Sequence, residues 1–187
     1  FVGKSGNLIV PGFGPNVVLG EIVTTLALPP TTPSPMDTCG ECKLCVDACP
    51  TGAIMGDGFI NTRKCLSYFT TEARENPPDS AALAFGGRLF GCEECVAACP
   101  HKRPMEPLGE NPLPMERYYQ LPQLPARSTF RGTALSRLGY TKIMVNLCYS
   151  LTARSDSPAL ALLHELAEHS SAAISAAARH ALRLKSR

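Results

Sequence analysis

Apolar and polar residues alternate with a helical period in the C-terminal third of this chain. From residue 128 onward the apolar positions recur at spacings of three and four, as at Leu160 and Leu163, which is the pattern of an amphipathic α-helix. Proline and serine between these stretches predict four short helices, with Pro158 in the first turn of the third and residues 170–171 capping the fourth. The sequence therefore predicts an all-helical C-terminal domain.

Short apolar stretches bounded by glycine and proline characterise the front of the chain. Residues 7–10 and 17–26 predict two β-strands joined through a turn rich in proline and glycine. Residues 53–60 predict a hairpin whose tip is the Gly-Asp-Gly of residues 56–58. Because two strands alone are marginally stable in water, we expect 7–10 and 17–26 to belong to a sheet completed by strands outside this chain.

The stretch after the hairpin predicts one helix and one loop. Asn61 or Thr62 can cap a helix that carries Cys65 and runs towards Arg74. Two prolines and a pair of glycines in residues 77–87 predict a loop there.

Proline density marks a boundary between domains. Seven prolines fall in the twenty-six residues 100–125, which is typical of an extended connector. The chain begins at Phe1 and not at methionine, so we expect it to be a piece of a longer protein. The predicted parts are an N-terminal fragment (1–30), a cysteine-rich domain (31–103), a Pro-rich connector (104–127) and a helical domain (128–187).

Composition and charge exclude some classes of protein. With 44% apolar and 18% charged residues the chain can bury a core, and it is not disordered by composition. The longest apolar runs, such as 159–163, fall far short of the ~20 residues of a membrane span, and no signal peptide is visible, so we expect no membrane partner. Residues 126–187 carry nine Lys and Arg against three acids, whereas 1–125 carry nine against thirteen. This basic C-terminal third is typical of a segment that meets a polyanion.

Eight of the nine cysteines form a pattern that binds iron–sulfur clusters. Cys39 starts the spacing C-x2-C-x2-C-x3-C-P of bacterial ferredoxins, in which the fourth cysteine binds the other cluster of a pair. A second run, ending at Cys99-Pro100, repeats only the last three cysteine positions, and Cys65 is the replacement for the missing one. Eight thiolates then hold two 4Fe–4S clusters with four ligands each. The first set contains Cys39, Cys42, Cys45 and Cys99, and the second contains Cys49, Cys65, Cys92 and Cys95.

Two other uses of cysteine fit the sequence less well. Structural zinc sites take pairs of C-x2-C without a crossed C-x3-C-P arrangement. A disulfide scaffold would need an export signal, and none is visible. The ninth cysteine, Cys148, lies in an apolar helical stretch and is predicted to be a small buried hydrophobic residue.

Several motifs together resemble the epoxyqueuosine reductase family. They are Gly-Lys-Ser at 3–5, Asn-Leu-Ile at 7–9, LGEIVT at 19–24, CLSYFTTE at 65–72, Phe-Gly-Cys at 90–92 and FRGTALSR at 130–137. The resemblance covers essentially all of this chain but about half of a family member. It implies an oxidoreductase that uses cobalamin and two 4Fe–4S clusters to reduce epoxyqueuosine in tRNA to queuosine.

The resemblance also implies a fold. It is an α+β chain in which residues 1–30 are the end of an α/β cobalamin-binding domain. A bacterial-type two-cluster ferredoxin domain follows at 31–103, and the helical tail is HEAT-like. We expect a cytoplasmic monomer that receives electrons from an external low-potential donor.

The roles of individual residues follow from the same resemblance. The proton-donating Asp of the family is expected upstream of Phe1, so no catalytic residue is assigned in this chain. Lys4 and Ser67 are expected to contact the corrinoid. The residues expected to contact tRNA phosphates are Arg131, Arg137, Arg179 and Arg183.

Departures from the family pattern leave two alternatives open. Around Pro15 and Asn16 the family has a Ser-Trp pair, and tryptophan is absent from this sequence. Corrinoid reductive dehalogenases resemble residues 12–19 but lack the motif at 65–68 and the basic helical tail. The second alternative is a stand-alone two-cluster ferredoxin-type module that only transfers electrons.

Overall fold

The computed structural model describes residues 1–31, 39–103, 115–124 and 130–186. The chain divides into two compact units, one formed by residues 1–62 and 93–106 and the other by 63–92 and 107–187. The α-helices are α1 (Leu44–Asp47), α2 (Leu66–Thr71), α3 (Asp79–Leu83), α4 (Glu94–Ala97), α5 (Met115–Gln120), α6 (Gly139–Ser150), α7 (Ser157–Ala167) and α8 (Ala172–Lys185). Within the described ranges, 3-10 turns lie at Leu121–Gln123, Ala134–Arg137 and Leu151–Ala153.

The first unit contains the same cysteine turn twice. Helices α1 and α4 each have four residues and contact one another. The residues before them, Lys43 and Glu93, have φ/ψ of −128°/11° and −114°/10°, and the residues after them, Ala48 and Ala98, have −75°/−14° and −77°/−14°. The repeated C-x3-C-P spacing, residues 45–50 and 95–100, therefore folds into nearly the same backbone at both places.

The predicted hairpin is present in the first unit as a single antiparallel bridge. Ile54 pairs with Ile60, and the amide of Asn61 donates to the carbonyl of Ala53 at 2.8 Å. Gly56 and Gly58 at the tip have φ of 92° and 87°, which side chains with a Cβ rarely adopt. The glycines predicted at the tip are therefore required by the turn.

The predicted strands at 7–10 and 17–26 are wrong for this chain. Within the described residues there is no β-strand, and residues 1–14 form only the isolated bridges Val2–Leu8 and Val10–Gly14. Val18 is 100% and Val23 99% exposed. A strand needs a neighbouring strand to pair its backbone groups, and among the residues that the structure describes no strand lies beside 17–26. Of the predicted α+β fold, the described residues therefore contain the helices but no β-strand. The assignment of residues 1–30 to a cobalamin-binding domain and of the tail to a HEAT-like fold stays a prediction.

The second unit is built around α6. All residues of α6 from Ile143 to Ser150 are buried, and α8 packs against both α6 and α7. Helix α7 begins as the sequence predicts, because Pro158 lies in its first turn and Asp156 caps it by accepting from the amide of Ala159 at 3.0 Å. The buried alanines of α8 leave room for close helix contact; they are Ala177, Ala178 and Ala181.

Two local predictions in the second unit are wrong. Helix α2 is capped by Cys65 and not by Asn61 or Thr62, because Asn61 still pairs with the hairpin. Residues 77–87 contain α3 where a loop was predicted. Phe85 at its end is buried with its ring centroid 5.4 Å from that of Tyr149, and this apolar contact fixes the segment.

The connector and the helical tail match the sequence only in part. Residues 104–114 and 125–129 lie outside the described residues, and the connector between them contains α5. The first of the four helices predicted after residue 128 is a 3-10 turn, and the other three are α6, α7 and α8. Among the described helices, none combines the length and apolar character needed to cross a membrane. The four-part domain division stays a prediction.

Candidate metal centre

Four cysteines line one cavity in the first unit. The cavity encloses about 350 Å³, including its opening to solvent. Its lining cysteines are Cys39, Cys42, Cys45 and Cys99, and it is completed by Lys4, Ser5, Ile9, Pro100 and His101. These cysteines are the first predicted set, which the structure brings together. Four sulfur donors around one cavity fit the ligand set of a 4Fe–4S cluster.

The local fold explains how three of these cysteines converge. Gly40 has a φ of 47°, and the amide of Cys42 donates to the carbonyl of Cys39 at 2.9 Å, which closes a tight turn. Helix α1 then carries Cys45 back towards the same space. Burial raises the pKa of the Cys45 thiol, and the neighbouring Cys39 and Cys42 raise this pKa further by charge repulsion. Thiolates held this close are stabilised when they share a cationic group, as the irons of a cluster provide.

Cys49 is not among the residues that line this cavity, and its sulfur has its own hydrogen bonds. The amide of Ala53 donates to its Sγ at 3.2 Å, and the Thr51 hydroxyl lies 3.8 Å from the same sulfur. Burial raises the pKa of the Cys49 thiol, but hydrogen bonds from Thr51, Ala53 and Ile54 outweigh it, so the net pKa is lowered. The site therefore favours a thiolate, which is the form that binds iron.

The second predicted set is divided between the two units. Cys49 and Cys95 belong to the first unit, and Cys65 and Cys92 belong to the second. Cys65 caps α2 and is half-buried, and the buried Leu66 after it anchors the start of this helix. The role of the second set as ligands of one cluster stays a prediction.

Cys148 is fully buried in α6, and burial raises the pKa of its thiol to about 12, which confirms it as a core residue. In the parts of the chain that the structure describes, no three His, Cys, Asp or Glu side chains converge on a point where a single metal ion could bind. Ligands of a polynuclear cluster bind different irons and lie further apart.

Lys4 and Ser67, the residues expected at the corrinoid, lie in different environments. The ammonium of Lys4 donates to the carbonyl of Gly40, and to that of Cys42 at 3.3 Å, so it contacts the turn of the first cysteine set. Ser67 is half-buried in α2, and its carbonyl accepts from the Thr71 hydroxyl at 2.7 Å. Sequence reasoning found Lys4 but missed this contact, because nothing in the spacing connects residue 4 with residues 40–42.

Sequence reasoning also missed a contact between Asn7 and a cysteine sulfur. The side-chain amide of Asn7 donates to Cys95 Sγ at 3.6 Å and to Ser5 Oγ at 3.0 Å. Asn7 is 88 positions from Cys95 in the chain. Asn7 was part of the Asn-Leu-Ile motif, but a motif match alone does not indicate which atom an amide contacts.

The four arginines expected at tRNA are all exposed. They are Arg131, Arg137, Arg179 and Arg183. Arg137 lies 3.9 Å from the Glu72 carboxylate, and Arg179 donates to the carbonyl of Ala167 at 3.2 Å. Both arginines remain at the surface, where such pairs contribute little to stability.

Two lysines of the basic tail have a structural role. Lys142 donates to the carbonyls of Phe69 at 2.6 Å and Ala73 at 2.7 Å. Lys185 donates to the carbonyls of residues 151, 152 and 154. Carbonyls at helix ends lack partners within the helix, and cations satisfy them. Part of the positive charge of the tail is therefore used inside the fold.

Comparisons with known proteins find similarity to 4Fe-4S binding domains and to epoxyqueuosine reductases. Residues 38–102 match the family described as 4Fe-4S double cluster binding domain, and residues 90–117 match a 4Fe-4S binding domain. An epoxyqueuosine reductase of Lactococcus garvieae is 35% identical over 181 residues, which is 90% of this chain and 50% of that protein. An epoxyqueuosine reductase of Staphylococcus aureus is 41% identical over 103 residues, 55% of this chain and 27% of the other.

Solved structures extend the similarity to the whole chain. The structure of epoxyqueuosine reductase from Streptococcus thermophilus is similar with a TM-score of 0.84 and 28% identity, covering 99% of this chain and 51% of the other. A crystal structure of epoxyqueuosine reductase with an epoxyqueuosine-modified tRNA-Tyr stem loop is similar with a TM-score of 0.83 and 28% identity, covering 100% and 52%. The chain thus spans about half the length of these proteins, and half or less of the relatives above.

Proposed function

Because this chain belongs to the epoxyqueuosine reductase family, we propose that it is the iron–sulfur part of a cobalamin-dependent reductase that converts epoxyqueuosine in tRNA to queuosine. The main support for this proposal is the cavity lined by four cysteines, because all four lie within the residues that match a double-cluster domain. The chain spans about half of its relatives, so the activity belongs to a longer protein of which these residues form one part.

The cysteines fit two 4Fe–4S clusters in the proposed protein. One would be held by the four cysteines of the cavity, and the other by Cys49, Cys65, Cys92 and Cys95. When bound, the clusters and the corrinoid supply one-electron transfer at low potential and reduction of the epoxide. The chain's own residues hold the thiolates in place, donate hydrogen bonds to Cys49 and Cys95, and bury Cys99.

For the corrinoid, the residues of this chain contribute little support. Lys4 donates to two carbonyls of the cysteine turn, which leaves Ser67 as the remaining expected contact. We therefore propose cobalamin from family membership and not from the described residues.

We propose that tRNA binds the helical tail through its exposed arginines. Phosphate contacts by arginine supply affinity and position without reading sequence. The four exposed arginines, together with the similarity to a reductase solved with a tRNA stem loop, support this assignment. A HEAT-like arrangement of α6–α8, a cytoplasmic monomer and an external low-potential electron donor complete the proposal.

The alternative of a stand-alone electron-transfer module is less well supported. The reductase structures cover 99–100% of this chain, and this coverage includes the helices after residue 130. A ferredoxin-type module would need similarity only over the cysteine-rich residues 38–102. The similarity of the tail favours the reductase over the module, and over a dehalogenase, which lacks such a tail.

Cluster content followed by activity tests the proposal. Anaerobic reconstitution should give roughly eight iron and eight sulfide per chain, as two cubanes require. In a chimera, this chain is then substituted for the aligned half of the Lactococcus garvieae relative. Nucleoside mass spectrometry should detect queuosine formed by this chimera from epoxyqueuosine-containing tRNA. A Cys45→Ser version of the same chimera is the matched control. Full cluster loading without queuosine formation would favour the electron-transfer module.

A further inference from the structure

The first residues of the chain form a tightly bonded turn next to the cysteines. We call residues 3–9 the N-terminal turn. The amide of Gly3 donates to the carbonyl of Asn7 at 2.9 Å, and that of Ile9 donates to the carbonyl of Phe1 at 2.8 Å. Ser5 and Ile9 are buried at 5% and 3% exposure. The turn is therefore held by backbone bonds and packing, and its side chains have fixed positions.

This turn approaches the first cysteine set closely. A Cβ built on Gly3 would lie 3.6 Å from Cys39 Sγ and 2.6 Å from Ile9 Cδ1, so only glycine fits there without a shift. Three residues of the turn line the cavity of the four cysteines; they are Lys4, Ser5 and Ile9.

Lys4 places a positive charge at this cavity. Its ammonium donates to the carbonyls of Gly40 and Cys42. Both acceptors are neutral, so these bonds orient the ammonium without neutralising it. Lys4 is half-buried, and a charge removed from solvent is screened less than one at the surface.

Asn7 provides a different contact, to a cysteine of the second set. Its Nδ2 donates to Cys95 Sγ, and the Ser5 hydroxyl accepts from the same nitrogen, which fixes the amide in this orientation. Hydrogen bonds to ligand sulfurs lower the energy of the more negative, reduced state of a cluster.

We propose that the N-terminal turn sets the reduction potentials of the two clusters separately, through Lys4 at the first cysteine set and through Asn7 at Cys95. Each cluster gains one negative charge on reduction, and a nearby cation or an N–H donor stabilises that charge. Both residues therefore raise the potential of their own cluster. Lys4 and Asn7 are positioning residues, and the inference rests on the clusters assigned under the proposed function.

Midpoint potentials measured on the reconstituted chain test the inference. The midpoints are measured in an anaerobic titration followed by electron paramagnetic resonance. Lys4→Met should shift the reduction equilibrium of one cluster about tenfold towards the oxidised state, which lowers its midpoint by about 59 mV for one electron. Asn7→Leu should shift the reduction equilibrium of the other cluster about threefold in the same direction, which lowers its midpoint by roughly 28 mV. Lys4→Met should not change the midpoint that Asn7→Leu lowers, and Asn7→Leu should not change the midpoint that Lys4→Met lowers.

Two further variants separate charge from structure. Lys4→Arg keeps the cation and should restore most of the Lys4→Met shift. Lys43→Met removes an exposed cation from the same cysteine loop, outside the cavity lining, and should shift either midpoint far less. Iron and sulfide are counted for every variant.

The outcomes distinguish this inference from the proposed function. Eight iron per chain with unmoved midpoints in Lys4→Met and Asn7→Leu would overturn the inference and leave the clusters in place. Equal shifts of both midpoints by either variant would also overturn it, because the two contacts would then not be separate. A parent chain that binds no iron would overturn the proposed function first.

Discussion

Asn146 ties two segments that carry predicted cluster ligands to the central helix of the second unit. It is fully buried in α6, and its side-chain amide donates to the carbonyls of Thr70 at 2.7 Å and Leu89 at 2.8 Å. Thr70 follows Cys65 by five residues, and Leu89 precedes Cys92 by three. One side chain therefore fixes both cysteine-bearing segments of this unit, and its removal should affect stability and cluster binding together.

The size of the effect follows from the hydrogen bonds that are lost. In Asn146→Leu, two carbonyls of buried residues lose their donor, at about 1–3 kcal/mol each. The substitution also removes the buried Oδ1, which has no hydrogen-bond partner among the described residues, and this recovers part of the loss. We expect a net destabilisation of about 2–4 kcal/mol. With a urea m-value of about 2 kcal/mol/M, the unfolding midpoint falls by about 1–2 M.

Urea unfolding followed by far-ultraviolet circular dichroism measures this change. Ser150→Ala is the matched control. Among the described residues, the buried Ser150 hydroxyl donates only to the carbonyl of Leu147 in the same helix, so its loss should cost less than about 1 kcal/mol. Asn146→Asp should be worse than Asn146→Leu, because it turns a carboxylate towards two carbonyl oxygens. Equal midpoints for Asn146→Leu and Ser150→Ala would refute the reasoning.

Three further predictions address ligands, pH and charge. Cys65→Ala should reduce the iron content from about eight to about four per chain and leave one cluster signal intact, whereas loss of both signals or of neither would contradict the assignment. The hydroxyl of Tyr119 and the guanidinium of Arg154 lower the pKa of the Asp156 carboxyl to about 2. The stability that this carboxylate contributes is present above its unfolded pKa and is lost as pH falls from about 4 towards 2. Asp156→Asn should therefore abolish that part of the pH dependence of the thermal midpoint. Changing Arg179 and Arg183 together to Glu in the complete reductase should weaken tRNA binding and flatten the dependence of log affinity on log salt, without changing cluster content. An unchanged salt slope would show that these two arginines belong to a solvated surface that does not contact tRNA.

Cysteine spacing predicted which four cysteines line one cavity, whereas the apolar pattern of residues 7–10 and 17–26 predicted strands that are absent from the described residues. The crossed position of Cys99 could be inferred because the C-x3-C-P turn has one geometry wherever it occurs, as α1 and α4 show. The apolar periodicity after residue 128 likewise predicted α6–α8, since helices bury one face whatever their partner. Residues 17–26 carried a strand pattern, but a strand forms only beside another strand.

Contacts between distant residues could not be predicted from the sequence. Lys142 and Lys185 look like part of a basic surface, yet they satisfy carbonyls that only the folded chain brings within reach. The same holds for Asn7 at Cys95 and for Phe85 beside Tyr149. Each of these depends on tertiary packing, and single-residue patterns contain no information about it.

The position of Cys99 on the cavity of the first set has a consequence for folding. Cys99 lies 54 positions beyond Cys45, yet both line the same space. A cofactor bound to both would tie the chain into a closed loop, as a covalent cross-link does, and for a loop of this length the lost freedom of the unfolded chain is worth about 4 kcal/mol. Oxidative loss of that cofactor would open the loop, so damage by oxygen should be detected first as faster proteolysis between residues 45 and 99.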